Sequence, residues 1–167
     1  MKYSFFSLLS FICIVTCSGQ TSMDYLDKGI AKSLHGDGQG AISDYNKAID
    51  LDPRNAEAYF NRGLSKYYVK NYHGAVSDFD KAIEIIPKYS TAYYSRGISK
   101  YYLNQYVAAI SDYNKAIEIN AGYAIAYYGR GLAELGLGHK DKACSDLNKA
   151  KTFGHTAADV IIKKSCK

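Results

Sequence analysis

Histidines and repeated Ser-Asp pairs are the residues of this sequence whose types could carry out catalysis. The histidines are His35, His73, His139 and His155, and they form no His-Glu-X-X-His or other metal-ligand spacing. Ser-Asp pairs occur at 43–44, 77–78, 111–112 and 145–146. A catalytic site needs one unique arrangement, so four identical pairs spread along the chain indicate a structural role. We therefore expect no enzyme activity, no cofactor and no metal site, and we expect the histidines to be solvent-exposed loop residues.

Basic residues are the next candidates, because clustered lysines can bind phosphates. The chain has a formal net charge of +5 and a pI near 8.9. Residues 140–167 contain seven Lys and three Asp, so most of the positive excess is C-terminal. A recurring lysine column (Lys47, Lys81, Lys115 and Lys149) is interleaved with Asp and Glu. This pattern is typical of a solvated face, and we do not expect nucleic-acid binding.

The Ser-Asp pairs belong to a segment that recurs every 34 residues. Its copies, of the form Ala-X-Ser-Asp-X-X-Lys-Ala, lie at 41–48, 75–82, 109–116 and 143–150. A second segment, Ala-Tyr-X-X-Arg-Gly, has the same step and lies at 58–63, 92–97 and 126–131, with Tyr25 and Gly29 as a diverged first copy. Two segments in phase establish a repeat protein.

Each repeat has the pattern of two helices. Ala75, Phe79, Ala82 and Ile83 share one helical face, and nothing alternates with a period of two. Pro53, Pro87 and Gly122 follow the second helices, and glycine-containing segments such as 136–138 separate the two helices of a repeat. The sequence therefore predicts antiparallel helix pairs and an all-α fold.

The recurring columns resemble the tetratricopeptide repeat (TPR). In the second repeat the matching residues are Tyr59, Gly63, Ala75, Phe79, Ala82 and Pro87. The resemblance implies a right-handed solenoid of four helix-turn-helix repeats at 22–55, 56–89, 90–123 and 124–157, and a non-catalytic scaffold that binds another protein. Two repeats lack the closing proline and have Ala121 and His155 in its place.

A short helix after the fourth repeat is expected to cap the solenoid. We place this C-terminal capping helix at 156–167. Its apolar residues, which are Ala157, Ala158, Val160, Ile161 and Ile162, would cover the fourth repeat. Lys163, Lys164 and Lys167 would face water.

Several columns are expected to pack the helices together. The small residues Gly63, Gly97, Gly131, Ala75 and Ala109 admit close helix approach. An arginine column stands where TPR units often carry an apolar residue, and each arginine is level with an aspartate on the antiparallel helix: Arg62 with Asp78, Arg96 with Asp112, and Arg130 with Asp146. We favour internal Arg–Asp bridges, with a row of arginines that binds acidic partners as the alternative.

The resemblance places the first helix of each repeat on a concave, ligand-binding surface. Three columns there are apolar or aromatic: Leu26, Phe60, Tyr94 and Tyr128; Ile30, Leu64, Ile98 and Leu132; and Tyr67 and Tyr101 beside Tyr68 and Tyr102. Tyr89 and Tyr123 flank them. We predict an aromatic groove that binds a partner segment, although many of these rings could instead cover helix junctions. The carboxylate clamp of some TPR domains is not expected, because Leu26, Phe60, Ile30 and Leu64 stand where the clamp has Lys and Asn.

The N-terminal residues have the pattern of a secretory signal peptide. Lys2 precedes a mostly apolar run over 5–15, and the small residues Cys17 and Gly19 lie at the positions that a signal peptidase recognises. We predict a signal peptide at 1–19, a mature chain from Gln20 and a periplasmic or secreted bacterial protein without a membrane span. In the alternative, 14–17 is a lipobox and Cys17 anchors a structural subunit of an envelope assembly machine, but Thr16 is unusual there. The sequence does not determine the oligomeric state.

Cys144 and Cys166 are expected to form a disulfide. They lie at similar distances on either side of a turn near 154–155, so antiparallel helices would bring them together. An oxidising compartment would favour the bond. Two free thiols are the alternative.

Overall fold

The computed structural model describes residues 19–166, and this range contains nine α-helices and no strand. Their bounds are α1 Ser22–Leu34, α2 Gly38–Leu51, α3 Ala56–Tyr68, α4 Tyr72–Ile85, α5 Ser90–Tyr102, α6 Tyr106–Ile119, α7 Ala124–Gly136, α8 Lys140–Thr152 and α9 Ala158–Ser165. None of these helices is long and apolar enough to cross a membrane. Residues 1–18, with most of the predicted signal peptide and Cys17, lie outside the described residues, as does Lys167.

The helices form a row of stacked hairpins. The hairpins are α1–α2, α3–α4, α5–α6 and α7–α8, and the second helix of each packs on the first helix of the next, with α9 packing on α8. The first helices α1, α3, α5 and α7 also contact one another in sequence. The all-α fold of helix pairs predicted from the sequence pattern is confirmed, as is the solenoid that the TPR resemblance implies.

Turns between the two helices of a hairpin require a left-handed residue. Gly36 and Gly138 supply it with φ of 80° and 79°, and the equivalent Lys70 and Asn104 adopt φ of 62° and 59°. The left-handed region disfavours a β-carbon, so Lys70 is held there by the helices on either side. The turn geometry is thus set by the repeat and not by glycine alone.

Small residues allow the helices of a hairpin to approach closely. A β-carbon at Gly63 would lie 2.8 Å from the Phe79 ring, and one at Gly97 would lie 2.8 Å from the Tyr113 ring. Ala75 and Ala109 are fully buried beside them. Because the interior is packed at close to crystal density, these positions admit no larger side chain without displacing a ring.

Helix α9 covers the last repeat with fewer apolar side chains than the sequence predicted. Ala158 is buried, and Ile161 and Ile162 pack against Tyr127, Leu147 and Ala150. Ala157 is exposed, and Val160 is 68% exposed, so the prediction was wrong for these two residues. The helix begins at Ala158, which places positions i, i+3 and i+4 on the inner face and Val160 on the outer face.

Cys144 and Cys166 lie side by side. Cys144 is in α8 and Cys166 directly follows α9, and their Cα atoms are 5.7 Å apart with the sulfur atoms within bonding distance. The pair joins the end of the last helix to the body of the solenoid.

Candidate protein-interaction groove

Charged clusters tie each arginine of the repeat to its own hairpin. Arg62 donates from Nε and Nη2 to both carboxylate oxygens of Asp78, at 2.9 and 2.7 Å. Lys66 Nζ lies 2.8 Å from the same carboxylate. The Arg96–Asp112 pair has the same arrangement, with Lys100 Nζ at 2.8 Å from Asp112.

The remaining arginine donors bind the preceding repeat. Arg62 Nη1 donates to Asn46, Arg96 Nη1 to Asp80, and Arg130 Nη1 to Asn114. Each guanidinium also lies 5.3–5.4 Å from the centre of a tyrosine ring three residues earlier. These contacts have the geometry of internal bridges, and they leave the arginines little capacity for an acidic partner.

The fourth repeat breaks the charge pattern. Glu134 occupies the column of Lys66 and Lys100, is buried, and places Oε2 2.7 Å from His139 Nδ1. Sequence reasoning missed this pair, although the change from Lys to Glu at a 34-residue step was visible. No group of three or more His, Cys, Asp or Glu side chains that could hold a metal occurs within 19–166.

Two adjoining depressions lie along α3, α5 and α7. One, of about 280 Å³, is lined by Leu64, Tyr67, Tyr68, Tyr94, Ser95 and Ile98. The other, of about 160 Å³, shares Tyr67, Tyr94 and Ile98 with the first and adds Tyr101, Tyr102, Tyr113, Tyr128, Gly129 and Leu132. We call the two together the tyrosine groove. It brings together seven of the eight predicted partner-binding residues, and Phe60 is not among its lining residues.

Each ring of the predicted aromatic column, namely Phe60, Tyr94 and Tyr128, packs on a ring outside that column. Phe60 packs on Tyr89 at a centroid distance of 5.0 Å, Tyr94 on Tyr123 at 5.3 Å, and Tyr128 on His155 at 4.5 Å. A ring from the end of the same repeat therefore covers one side of each column member. Phe60 is also packed on Phe79, at 5.7 Å, which holds it in the wall of the solenoid and away from the two depressions.

Two expectations for this region were wrong. Leu26, which we placed in the binding column, is 1% exposed in a core cluster with Tyr45 and Ile49. His155 is not a free loop residue, because its ring is partly buried and its Nε2 is buried without a hydrogen-bond partner. Their burial depends on neighbouring helices that one repeat alone does not reveal.

Two further tyrosines, Tyr72 and Tyr106, pack against rings of the groove. Tyr72 stacks on Tyr102 at 5.0 Å with an interplanar angle of 9°, and Tyr106 packs on Tyr101 at 5.4 Å. Tyr67 lies 5.8 Å from Tyr102 across neighbouring repeats. Tyr72 and Tyr106, the first residues of α4 and α6, thus hold the groove rings in position.

The tyrosine groove carries no charged lining residue. Burial raises the pKa of Tyr94 to about 12, and burial also raises the pKa values of Tyr67, Tyr101 and Tyr113. Their hydroxyl groups are consequently neutral at physiological pH and can both donate and accept hydrogen bonds. The groove offers apolar ring surface with uncharged polar edges.

Comparison with known families agrees with this architecture. The sequence profile described as "Tetratricopeptide repeat" matches residues 56–89 and 90–123, and one described as "TPR repeat" matches residues 35–69. Together the matches extend over more than half of the chain. The chain belongs to the tetratricopeptide repeat family. The matched ranges 56–89 and 90–123 have the same bounds as the second and third repeats derived from the sequence period.

Solved structures of TPR proteins are similar to this chain. A crystal structure of MamA is 29% identical with a TM-score of 0.77, and the alignment covers 83% of this chain and 81% of MamA. The first TPR domain of Spaghetti (RPAP3), bound to the HSP90 peptide SRMEEVD, is 26% identical with a TM-score of 0.70, over 71% of this chain and 94% of that one. MamA from Desulfovibrio magneticus RS-1 is 20% identical, with a TM-score of 0.77, over 89% of this chain and 94% of that one, and shows the shared fold. None of the curated protein sequences compared with the chain matches it.

Proposed function

We propose that this protein is a non-catalytic interaction module that holds a segment of a partner protein in the tyrosine groove. The observation that carries the proposal is the convergence of residues from three first helices, among them Tyr67, Tyr94 and Tyr128, on two adjoining uncharged depressions. The TPR domain of RPAP3, which has the same fold, is solved with a bound peptide. That similarity supports a peptide-binding role for this chain.

The chemistry of the groove suits protein binding. Tyrosine supplies a large, rigid contact area with few rotatable bonds, and interfaces are enriched in it. Tyr68 and Tyr102 remain exposed at the edge of the groove. The arginines contribute little in this proposal, since their donors are already engaged by Asp78, Asp112 and Asp146.

The proposal predicts that groove rings dominate the affinity. A double change, Tyr67→Ala with Tyr101→Ala, should weaken binding to the captured partner at least tenfold, because each large ring at an interface centre contributes about 2 kcal/mol. Affinity capture from envelope extract would supply the partner, and titration calorimetry would compare the variants. Phe153→Ala is the matched control, since Phe153 is an exposed ring outside the groove.

Circular dichroism must show that the double variant keeps its helix content. Unchanged affinity in a folded Tyr67→Ala, Tyr101→Ala variant would contradict the proposal and move the binding site to another face. If Phe153→Ala weakened binding of the captured partner by a similar factor, the effect would not be specific to the groove, which would also contradict the proposal.

We also propose that the mature protein is exported. The short apolar run over 5–15 and the small residues before Gln20 support this. N-terminal analysis of the protein from its native host should give Gln20 as the first residue. An intact Met1 would contradict export. A start at Cys17, with incorporation of labelled palmitate, would instead support the second candidate function, a lipid-anchored structural subunit of an envelope assembly.

A further inference from the structure

We propose that the occupant of the tyrosine groove is an uncharged, proline-rich segment in the polyproline II conformation. The inference rests on the proposed function and specifies the class of partner. Its support comes from the charge, the hydrogen-bonding groups and the spacing of the groove.

Charge favours an uncharged occupant. The lining residues are Tyr, Leu, Ile, Ser and Gly, and no Lys, Arg, Asp, Glu or His is among them. The nearby cations are already paired, since Lys66 binds Asp78 and Lys100 binds Asp112. A charged side chain entering the groove would lose water without gaining an opposite charge.

The hydrogen-bonding groups favour proline. Among the described residues, the hydroxyls of Tyr68, Tyr94, Tyr101 and Tyr128 make no hydrogen bond, and none of them is a buried atom without a partner. They therefore reach solvent and can donate to a ligand. A polyproline II segment presents solvated carbonyl oxygens as acceptors, and proline has no N–H that would need an acceptor from the groove.

The spacing of the groove residues over successive repeats favours an extended occupant. Tyr67 lies on α3, Tyr101 on α5 and Tyr128 on α7, and these first helices contact one another in sequence. A polyproline II segment is extended, with a rise of about 3.1 Å per residue and three residues per turn, so every third side chain lies on one face. One such face could meet the rings of successive repeats.

The inclined rings form an aromatic wall of the groove. Tyr101 and Tyr102 meet edge to face at 89°, and Tyr67 and Tyr102 meet at 60°. Because these rings contact one another, proline side chains would enter the two depressions that the rings line. Aromatic-lined grooves of this kind bind proline-rich segments in several unrelated domains, because the preformed helix loses little conformational entropy on binding.

Peptide titration by fluorescence anisotropy tests this inference on the purified protein. The probe is an acetylated, amidated twelve-residue peptide without charged residues and with proline at every third position. One control peptide replaces each proline with alanine, and another keeps the prolines but places aspartate after each one. We expect both controls to bind at least tenfold more weakly than the probe.

Protein variants make the result specific to the groove. Tyr94→Phe with Tyr101→Phe keeps the rings and removes two of these donors, and should weaken binding of the probe peptide at least threefold. Phe153→Ala should leave its affinity unchanged. If the alanine peptide, or an uncharged leucine-rich helical peptide, binds as tightly as the probe to the groove, the proline inference is overturned and the groove function stands.

Failure of the proposed function has a different signature. If no uncharged peptide binds, and the captured partner binds the folded Tyr67→Ala, Tyr101→Ala variant normally, both proposals are overturned. If the captured partner needs the groove rings but its bound segment lacks proline, only the proline inference is overturned.

Discussion

At the scale of single residues, the aspartates of the Ser-Asp pairs organise the interior charges. Asp112 is buried and receives two donors from Arg96 and one from Lys100. A buried carboxylate with several donors is stable as a unit, but the loss of one member leaves the others without a partner. The repetition of this cluster along the chain explains why Arg, Lys and Asp recur at a fixed step.

Double-mutant analysis of Arg96 and Asp112 tests this role. Asp112→Leu should destabilise the fold by about 3–5 kcal/mol, because it removes the carboxylate that pairs with Lys100 and with two of the Arg96 donors. Arg96→Leu should cost less, since Lys100 remains 2.8 Å from Asp112. The double variant should be more stable than the sum of the single changes predicts, by about 1 kcal/mol or more in denaturant unfolding.

The exposed pair of Lys115 and Glu118 is the control for this double-mutant analysis. Both side chains are more than half exposed, so solvent screens their charges and their coupling should be much smaller than that of Arg96 and Asp112. If the double variant at Arg96 and Asp112 lost as much unfolding free energy as the two single variants together, a stabilising internal bridge would be rejected.

At the scale of elements, α9 is the least extensively anchored helix of the described chain. It packs on α8 through Ala158, Ile161 and Ile162, and within residues 19–166 its outer face, where Val160 is exposed, is not covered by another helix. Its eight residues are too few to be stable as an isolated helix. The attachment of α9 therefore depends on tertiary contacts, to which a Cys144–Cys166 disulfide would add.

Covalent pairing of Cys144 and Cys166 is the prediction for this element. Cys144 in α8 and Cys166 at the end of α9 have Cα atoms 5.7 Å apart, which is a separation that a disulfide spans. Closing a loop of this size should stabilise the oxidised protein by about 3 kcal/mol relative to the reduced one. Denaturant unfolding with and without reductant would measure the difference, with the Cys144→Ser, Cys166→Ser variant as a control that should not respond to reductant.

Thiol titration gives the independent check on the disulfide. The exported, oxidised protein should show no reactive thiol from Cys144 or Cys166, even when unfolded. Two free thiols in that experiment would be incompatible with the pairing.

At the scale of the whole molecule, buried and half-buried tyrosines run through successive repeats. Burial raises the pKa values of Tyr45 and Tyr94 to about 12, and it raises those of Tyr67, Tyr101 and Tyr113 as well. A raised folded-state pKa means that the fold favours the neutral phenol. The stability from these groups is complete below the unfolded value of about 10 and is lost as the pH rises through the folded values.

Alkaline titration is the corresponding prediction. We expect the free energy of unfolding to fall above about pH 10 and the helices to melt cooperatively near or above pH 12, with little change between pH 6 and 9 from these tyrosines. Absorbance of tyrosinate near 295 nm should show one set of tyrosines titrating near pH 10 and a second set titrating only as helix content is lost. A single transition near pH 10 with the helices intact would contradict the burial of these phenols.

The sequence by itself determined the repeat, the helix pairs and the small-residue columns. A step of 34 residues repeats the same local pattern, so Gly63, Ala75 and Phe79 reveal their packing role through their copies. It also indicated which columns could form a groove, because residues on one face of each first helix recur at the same step. These are properties of the repeated unit.

Only the tertiary structure decided which of those residues are available to a partner. Leu26 is in the core, Phe60 is held by Tyr89 and Phe79, and His155 covers Tyr128, because each is packed by a residue from another helix or repeat. Exposure depends on what the neighbouring element contributes, and at the first and last repeats that neighbour differs from the repeated one. The Glu134–His139 pair in the last repeat and the outward position of Val160 on α9 have the same origin, since the repeat pattern ends where α9 replaces a fifth hairpin.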